Sequence, residues 1–262
     1  MNPRLLLRSA TRGWVFRKKL PKDLGGQTVF CTPEAMLATL RPGWAGNHQA
    51  LGLFDWVRRF VNPGMMVWDV GANQGLFAVA AAARVGIDGS VIAFEPDLFL
   101  AYLIDRSVAE THGDSGPVMV LPIALAGEFD LQSFSIAATD RALNHLISAL
   151  GNPHTHGSRR QTSVICLSGD KLAERLGFPE VIKIDVEGAE VDVLYGCKNV
   201  ISAKRPIIIV EVAPENTRTL NQFFTENNYA LFDVSKQPLK PSNSAWNTLA
   251  VPNEKVEAIK NL

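Results

Sequence analysis

Over residues 51–60 apolar side chains recur at helical spacing: Leu51, Phe54, Trp56, Val57 and Phe60 gather on one side, and Asn62-Pro63-Gly64 closes the helix. The next run, 65–70 (MMVWDV), reads as a continuous apolar strand leading straight into a glycine turn. The Ala-rich stretch 76–85 behind the turn has strongly helix-forming composition. The alternation then repeats. Strand 91–94 follows Asp88-Gly89 and ends at Glu95-Pro96-Asp97, then 98–110 reads as helix and 117–125 as strand. Residues 126–165 lack a clear period and hold Gly151-Asn152-Pro153-His154-Thr155-His156-Gly157, so they are expected to form a lid or substrate-specificity insertion, not core. Beyond them, 181–185 is a short strand. A helix with Val193, Leu194, Cys197 and Val200 on one side follows, then the most strand-like run, 206–212 (PIIIVEV). A helix over 217–227 and two strands, 229–234 and 248–251, close the pattern.

Strands alternating with helices specify an α/β domain with a parallel sheet and helices on both faces. Nearly continuous apolar strands such as 206–210 are buried on both sides. No helical stretch separates the last two strands, so an antiparallel pair is expected at one edge.

Composition adds bounds. With 262 residues, 47% of them hydrophobic, the chain has material for one full α/β domain over 51–262, preceded by a basic arm and cap over 1–50. Acids and bases balance at 26 each, which gives no field to draw the whole molecule to nucleic acid. Residues 1–22 are different: Arg4, Arg8, Arg12, Arg17, Lys18, Lys19 and Lys22 stand there without one acid. A loosely packed arm is the favoured reading, a weak contact with an anionic membrane surface the alternative. No apolar run reaches the roughly 18 residues needed to span a bilayer, and Leu5-Leu6-Leu7 is too short for a signal core. Cys31, Cys166 and Cys197 form no C-x-x-C pair, which fits a reducing compartment and a cytoplasmic location. Nothing in the pattern reads out an oligomeric state.

The chemistry concentrates at strand ends. The turn 69–75 (DVGANQG) carries glycines at 71 and 75, allowing a sharp bend and a close approach of ligand, and it aims free backbone N–H groups outward. A dinucleotide fingerprint wants glycine at 71, 73 and 76, whereas the chain has Gly71, Asn73 and Leu76; the Gly-Lys-Ser/Thr of a P-loop is absent. Asp69 at the strand end suits a ligand bearing an ammonium group. Glu95, 26 residues on at the exit of the second strand and followed by Pro96, is placed to accept from a ribose diol.

The blocks VWDVGANQGLF (67–77), VIAFEP (91–96), VIKIDVEGAE (181–190) and PIIIVEV (206–212) together resemble the FkbM family of methyltransferases, in the expected order across roughly residues 50–252. The resemblance implies the class I methyltransferase (Rossmann-like) fold: a seven-stranded, mostly parallel sheet with an antiparallel last strand. It implies S-adenosylmethionine as cofactor, held by Asp69, Gly71, Asn73, Gly75, Glu95 and Pro96, and transfer to hydroxyls of sugars or related natural products.

At the fourth strand, Asp185 and Glu187 are two residues apart. If strand geometry persists, they share a face near the transferable methyl. Three duties are open: a general base for a hydroxyl acceptor, a ligand pair for a divalent cation, or, for Glu187 or Glu190, a helix-start acid. A cation is not required by this reading. Glu211, closing the fifth strand, is expected to line the acceptor pocket. His145, beside Asn144, is a candidate substrate contact or base; His154 and His156, with no third ligand nearby, read as solvated loop residues. Gly113-Asp114-Ser115-Gly116 reads as a turn. An O-methyltransferase of a glycan or small metabolite is the leading reading. An N-methyltransferase of the same fold, a nicotinamide oxidoreductase and a non-catalytic cofactor binder are the alternatives.

Overall fold

A computed structural model describes residue 7 and residues 10–138, 140–148 and 157–259. Arg4, Arg8, the Leu5-Leu6 pair, His154 and His156 lie outside the described residues.

An N-terminal hairpin, β1 (Phe16–Lys19) and β2 (Thr28–Cys31), precedes helix α1 (His48–Phe60), which Asn47 caps by accepting from the Ala50 N–H. Then come β3 (Met66–Val70), α2 (Leu76–Val85), β4 (Ser90–Phe94), α3 (Leu98–Ala109), β5 (Val118–Leu121), β6 (Ala124–Leu125), β7 (Asp130–Ala137), β8 (His145–Leu146) and β9 (Ser158–Leu167). The C-terminal half adds α4 (Gly169–Leu176), β10 (Val181–Ile184), α5 (Glu190–Gly196), α6 (Lys198–Lys204) and β11 (Ile207–Glu211). It ends with α7 (Thr217–Glu226), β12 (Tyr229–Asp233), β13 (Asn247–Pro252) and α8 (Val256–Ile259).

Seven strands form the main sheet in the order β12-β13-β11-β10-β3-β4-β5. The pairs β11/β10, β10/β3, β3/β4 and β4/β5 are parallel, while β13 runs antiparallel to both β11 and β12. The last strand is thus the antiparallel one, inserted next to the edge. Strand alternation feeds two cores. Val67, Val91, Ala93 and Val181 pack with α1 and the Ala-rich α2 on one face. Trp68, Val70, Ile182, Ile184, Ile208 and Val210 pack with Val193, Leu194, Val200 and Phe224 on the other.

Three expectations are corrected. The run 117–125 is not one strand: Pro122 cannot donate to a ladder, so β5 stops at Leu121 and the chain turns into β6 of another sheet. Residues 126–165 are not aperiodic. They supply β7, β8 and β9 to a four-stranded sheet ordered β6-β9-β7-β8, with Phe134, Leu146, Val164 and Cys166 buried on one side. The N-terminal arm is not loose from residue 11 onward. Leu20, Leu24, Val29 and Cys31 belong to the same apolar cluster as α1 and α2, Arg17 pairs with Glu110, and the Lys18 ammonium sits 4.4 Å from the Trp44 ring centroid. The three cysteines are free and buried. Ser115 accepts from the Gln27 amide at 3.0 Å within its turn. No helix among the described residues is long and apolar enough to cross a membrane.

Candidate active site

The carboxyl ends of β3, β4, β10 and β11 open on a solvent-accessible cleft lined by Gly71, Asn73, Glu95, Pro96, Asp185, Glu187 and Glu211. Ligands of open α/β sheets bind at this position, outside the strand ends where strand order reverses. The small sheet contributes to the cleft wall through Ala124, Phe134 and Leu146, and the segment between β7 and β8 adds Arg141 and Asn144.

The loop after β3 is shaped by what surrounds it. Gly71 has φ +73°, and a Cβ there would lie 1.8 Å from the Asp185 carbonyl oxygen, so a side chain is excluded by backbone. Gly71 and Ala72 both donate to the Phe94 carbonyl at 3.0 Å, strapping the loop across β4. Gly75, at φ +78°, precedes α2 in the left-handed conformation, and a Cβ there would lie 2.9 Å from the Ile104 side chain. Asn73 also sits in the left-handed region (φ 54°), where asparagine is among the better tolerated side chains. Its N–H donates to Glu95 Oε2 at 2.7 Å, and its own Oδ1 is buried without a hydrogen-bond partner in the cleft wall.

Glu95 is held rigidly: Oε1 accepts from the Asp97 N–H at 2.8 Å while Oε2 takes Asn73, leaving one lone pair on each oxygen for a ligand. Burial pushes its carboxyl up to about 8 against these two hydrogen bonds. Asp97 caps α3 through Oδ1 to the Phe99 N–H. Its Oδ2 receives Arg141 and the Asn144 amide, the latter at 2.8 Å. Arg141 also reaches Glu34 at 3.2 Å, and Arg159 meets the same Glu34 at 2.8 Å. The segment carrying Arg141 is therefore pinned to the core by buried charge.

Asp69 does not line the cleft. It is wholly buried beneath the loop, and its register neighbour across β10 is Lys183, whose Nζ lies 3.2 Å from Asp69 Oδ1, 3.5 Å from Asp185 Oδ2 and 2.8 Å from the Gly71 carbonyl. The charge expected to meet a ligand ammonium is thus committed to Lys183. Burial alone would lower the lysine, but Asp69 and Asp185 more than offset it and hold the ammonium charged. Lys183 is the site-adjoining side chain that sequence reading missed, hidden as one polar letter in the apolar run VIKI.

Asp185, Glu187 and Glu211 converge, with carboxylate oxygens within 4.8 Å of one another. Strand geometry ends at Ile184, so Asp185 and Glu187 meet by another route: Glu187 turns at φ 51°, and the bend still brings it to the cleft. Burial, reinforced by Asp185 and Glu211, pushes Glu187 up to about 8; burial and Asp185 do the same for Glu211, against Lys183. Three such oxygens can share protons or surround one cation. Glu190 stands apart as the first residue of α5. It accepts from the Gly188 N–H at 2.8 Å and the Asn216 amide at 2.6 Å, which is helix-start duty.

His145 is corrected. Asn144 and Leu146 line the cleft, but the two-residue period of the short strand turns His145 away, with Nδ1 3.0 Å from the Leu143 carbonyl oxygen.

A parallel sheet with one antiparallel strand, a glycine loop after its central strand and an acid at the next strand's exit place the chain in the doubly wound class of α/β folds, whose ligands sit outside the strand ends. The family model described as the methyltransferase FkbM domain matches residues 69–231, and the chain belongs to that family. A hexuronic acid methyltransferase, AglP of Haloferax volcanii, is 32% identical over 154 residues, 56% of this chain and 55% of that protein. A solved methyltransferase FkbM from Methylobacillus flagellatus KT aligns over 75% of this chain and 49% of its own, at 15% identity and a TM-score of 0.47. An S-adenosylmethionine-dependent O-methyltransferase from Thermotoga maritima aligns over 83% of this chain and 69% of its own, at 11% identity and a TM-score of 0.44. The chain spans about half the length of the first two of these relatives.

Proposed function

We propose that the chain transfers a methyl group from S-adenosylmethionine to a hydroxyl of a sugar. The observation that carries this reading is one cleft holding both a ribose-competent acid, Glu95, and a convergent trio of carboxylates, Asp185, Glu187 and Glu211. Family membership and a relative named for hexuronic acid support it.

The residues fit the cofactor. Glu95 keeps a free lone pair on each oxygen for the two ribose hydroxyls, the orphaned Asn73 Oδ1 awaits a donor, and a bare Gly71 backbone lets a ligand approach. The cofactor supplies an electrophilic methyl already activated on a sulfonium, so no protein nucleophile is needed. The remaining work falls to the chain: align the acceptor oxygen with the methyl and take its proton. As the C–O bond forms and the C–S bond breaks, the hydroxyl proton passes to a carboxylate of the trio, with Asp185 the proposed base beside Lys183. The products are a methyl ether and the neutral thioether. Asp185→Asn is expected to cut transfer of labelled methyl by about 10²–10⁴-fold while leaving cofactor-product binding in place. Unchanged transfer would remove Asp185 from the chemistry. The 4.8 Å grouping also favours a second reading, in which Asp185, Glu187 and Glu211 would hold a divalent cation that would supply Lewis-acid polarisation of the hydroxyl. Full activity after exhaustive chelation rules that reading out; activity lost to chelator and restored by magnesium establishes it.

A further inference from the structure

A second cleft, enclosing about 1170 Å³, shares Gln49, Asp185 and Glu211 with the first and extends between α1 and the β12/β13 region. Its wall includes Trp56 and Trp246, the latter 56% exposed with its indole against the Glu211 carboxylate. Exposed indole faces beside amides and carboxylates are a surface on which sugar C–H faces stack while hydroxyls find acceptors.

In this cleft acids outnumber uncommitted bases. Asp55, Asp185 and Glu211 line it, and Glu187 stands next to them. Its two basic side chains other than the rim residue His48 are already engaged: Lys183 with Asp69 and Asp185, Arg59 with Asp55 at 3.4 Å and the Val234 carbonyl at 3.3 Å. Arg141 in the adjoining cleft is held by Asp97 and Glu34. A carboxylate brought to this site would meet an acid-rich wall in which, among the described lining residues other than His48, each basic side chain is already engaged, so its desolvation would go largely uncompensated.

Resting on the methyltransferase reading, we infer that this second cleft is the acceptor subsite, that the acceptor ring stacks on Trp246, and that it is a sugar free of carboxylate and phosphate groups. The chain then differs in acceptor charge from its hexuronic acid-methylating relative. The test has two stages. Calorimetry with S-adenosylhomocysteine comes first, since absence of binding condemns the methyltransferase reading itself. With binding established, labelled-methyl transfer is measured on panels of neutral glycosides, amino glycosides and uronates of matched ring size. The expected result is turnover of neutral or amino glycosides at least about tenfold above uronates. Trp246→Ala should raise acceptor KM about 3–10-fold with cofactor-product affinity unchanged. Asp55→Asn, which releases Arg59, should raise the uronate-to-neutral ratio about 2–5-fold. Equal or preferred turnover of uronates overturns the inference. So does a cofactor-binding protein that methylates none of the neutral or amino glycosides, or a Trp246→Ala variant with wild-type KM.

Discussion

Gly71 and Glu95, the residues proposed to hold the cofactor, line one end of the cleft, and they are expected to fail in different ways when replaced. Gly71→Ala forces a Cβ to 1.8 Å from the Asp185 carbonyl oxygen at a φ of +73°. The left-handed backbone alone costs about 1–2 kcal/mol, and the clash must also displace the β10 exit. The expected result is a lower Tm together with lost binding of S-adenosylhomocysteine. Glu95→Gln keeps the shape but replaces one carboxyl oxygen with an amide NH₂ that cannot accept, so affinity should fall about 10–100-fold, read by calorimetry, with little change in Tm. The trio has a pH signature. Glu187 and Glu211 are pushed up to about 8 from an ordinary 4.5, so the folded chain retains protons that the unfolded chain has lost across that interval. Their contribution to stability is therefore full below about 4.5 and is lost as pH rises through about 8. Tm of the free protein should fall as pH is raised from about 5 to about 8, and Glu187→Gln should flatten that fall. A Tm that rises over the interval would contradict the assignment. Lys183 sits among these acids and stayed hidden in the sequence. A lysine inside an apolar strand gives no signal of its own until register places it opposite Asp69.

At the scale of elements, Arg141 joins the segment between β7 and β8 to two distant parts of the chain, Glu34 and Asp97, with only 11% of its side chain exposed. Removing one partner of such a buried network costs about 3–5 kcal/mol where the remaining charges stay buried, and Arg159 and Asn144 soften that here. Arg141→Ala should speed amide hydrogen exchange over 124–146 more than over β3 or β10; uniform exchange in both regions would argue against the clamp. Legibility followed burial. Strands β3, β10 and β11 are buried on both faces and read as apolar runs with one polar residue each (Asp69, Lys183 and Glu211), and α2 declared itself by alanines. Strand β9 begins Ser-Arg-Arg-Gln-Thr-Ser, exposed for most of its length, so its pairing partner β7 defines it more than its composition does. Strand β8 is two residues long, too short to show the alternation that turns His145 away.

On the scale of the whole molecule, the N-terminal hairpin is part of the site's support. Strand β2 ends at the cofactor loop, where the Thr32 N–H donates to Gln74 Oε1 at 2.9 Å, and Phe30 N–H reaches Ser107 of α3 at 2.9 Å. The basic arm is thus tied to the loop after β3 and to α3, a long-range arrangement that local composition cannot announce. All of this converges on one claim: the cleft between Gly71, Asn73 and Glu95 is built for the nucleoside of S-adenosylmethionine. Isothermal titration of the full chain with S-adenosylhomocysteine, with NAD as the comparison ligand, tests it most directly. The account predicts one equivalent of S-adenosylhomocysteine bound, sharply weakened in Glu95→Gln, and no binding of NAD at the same concentrations. Absence of S-adenosylhomocysteine binding, or equal binding of NAD, would contradict it.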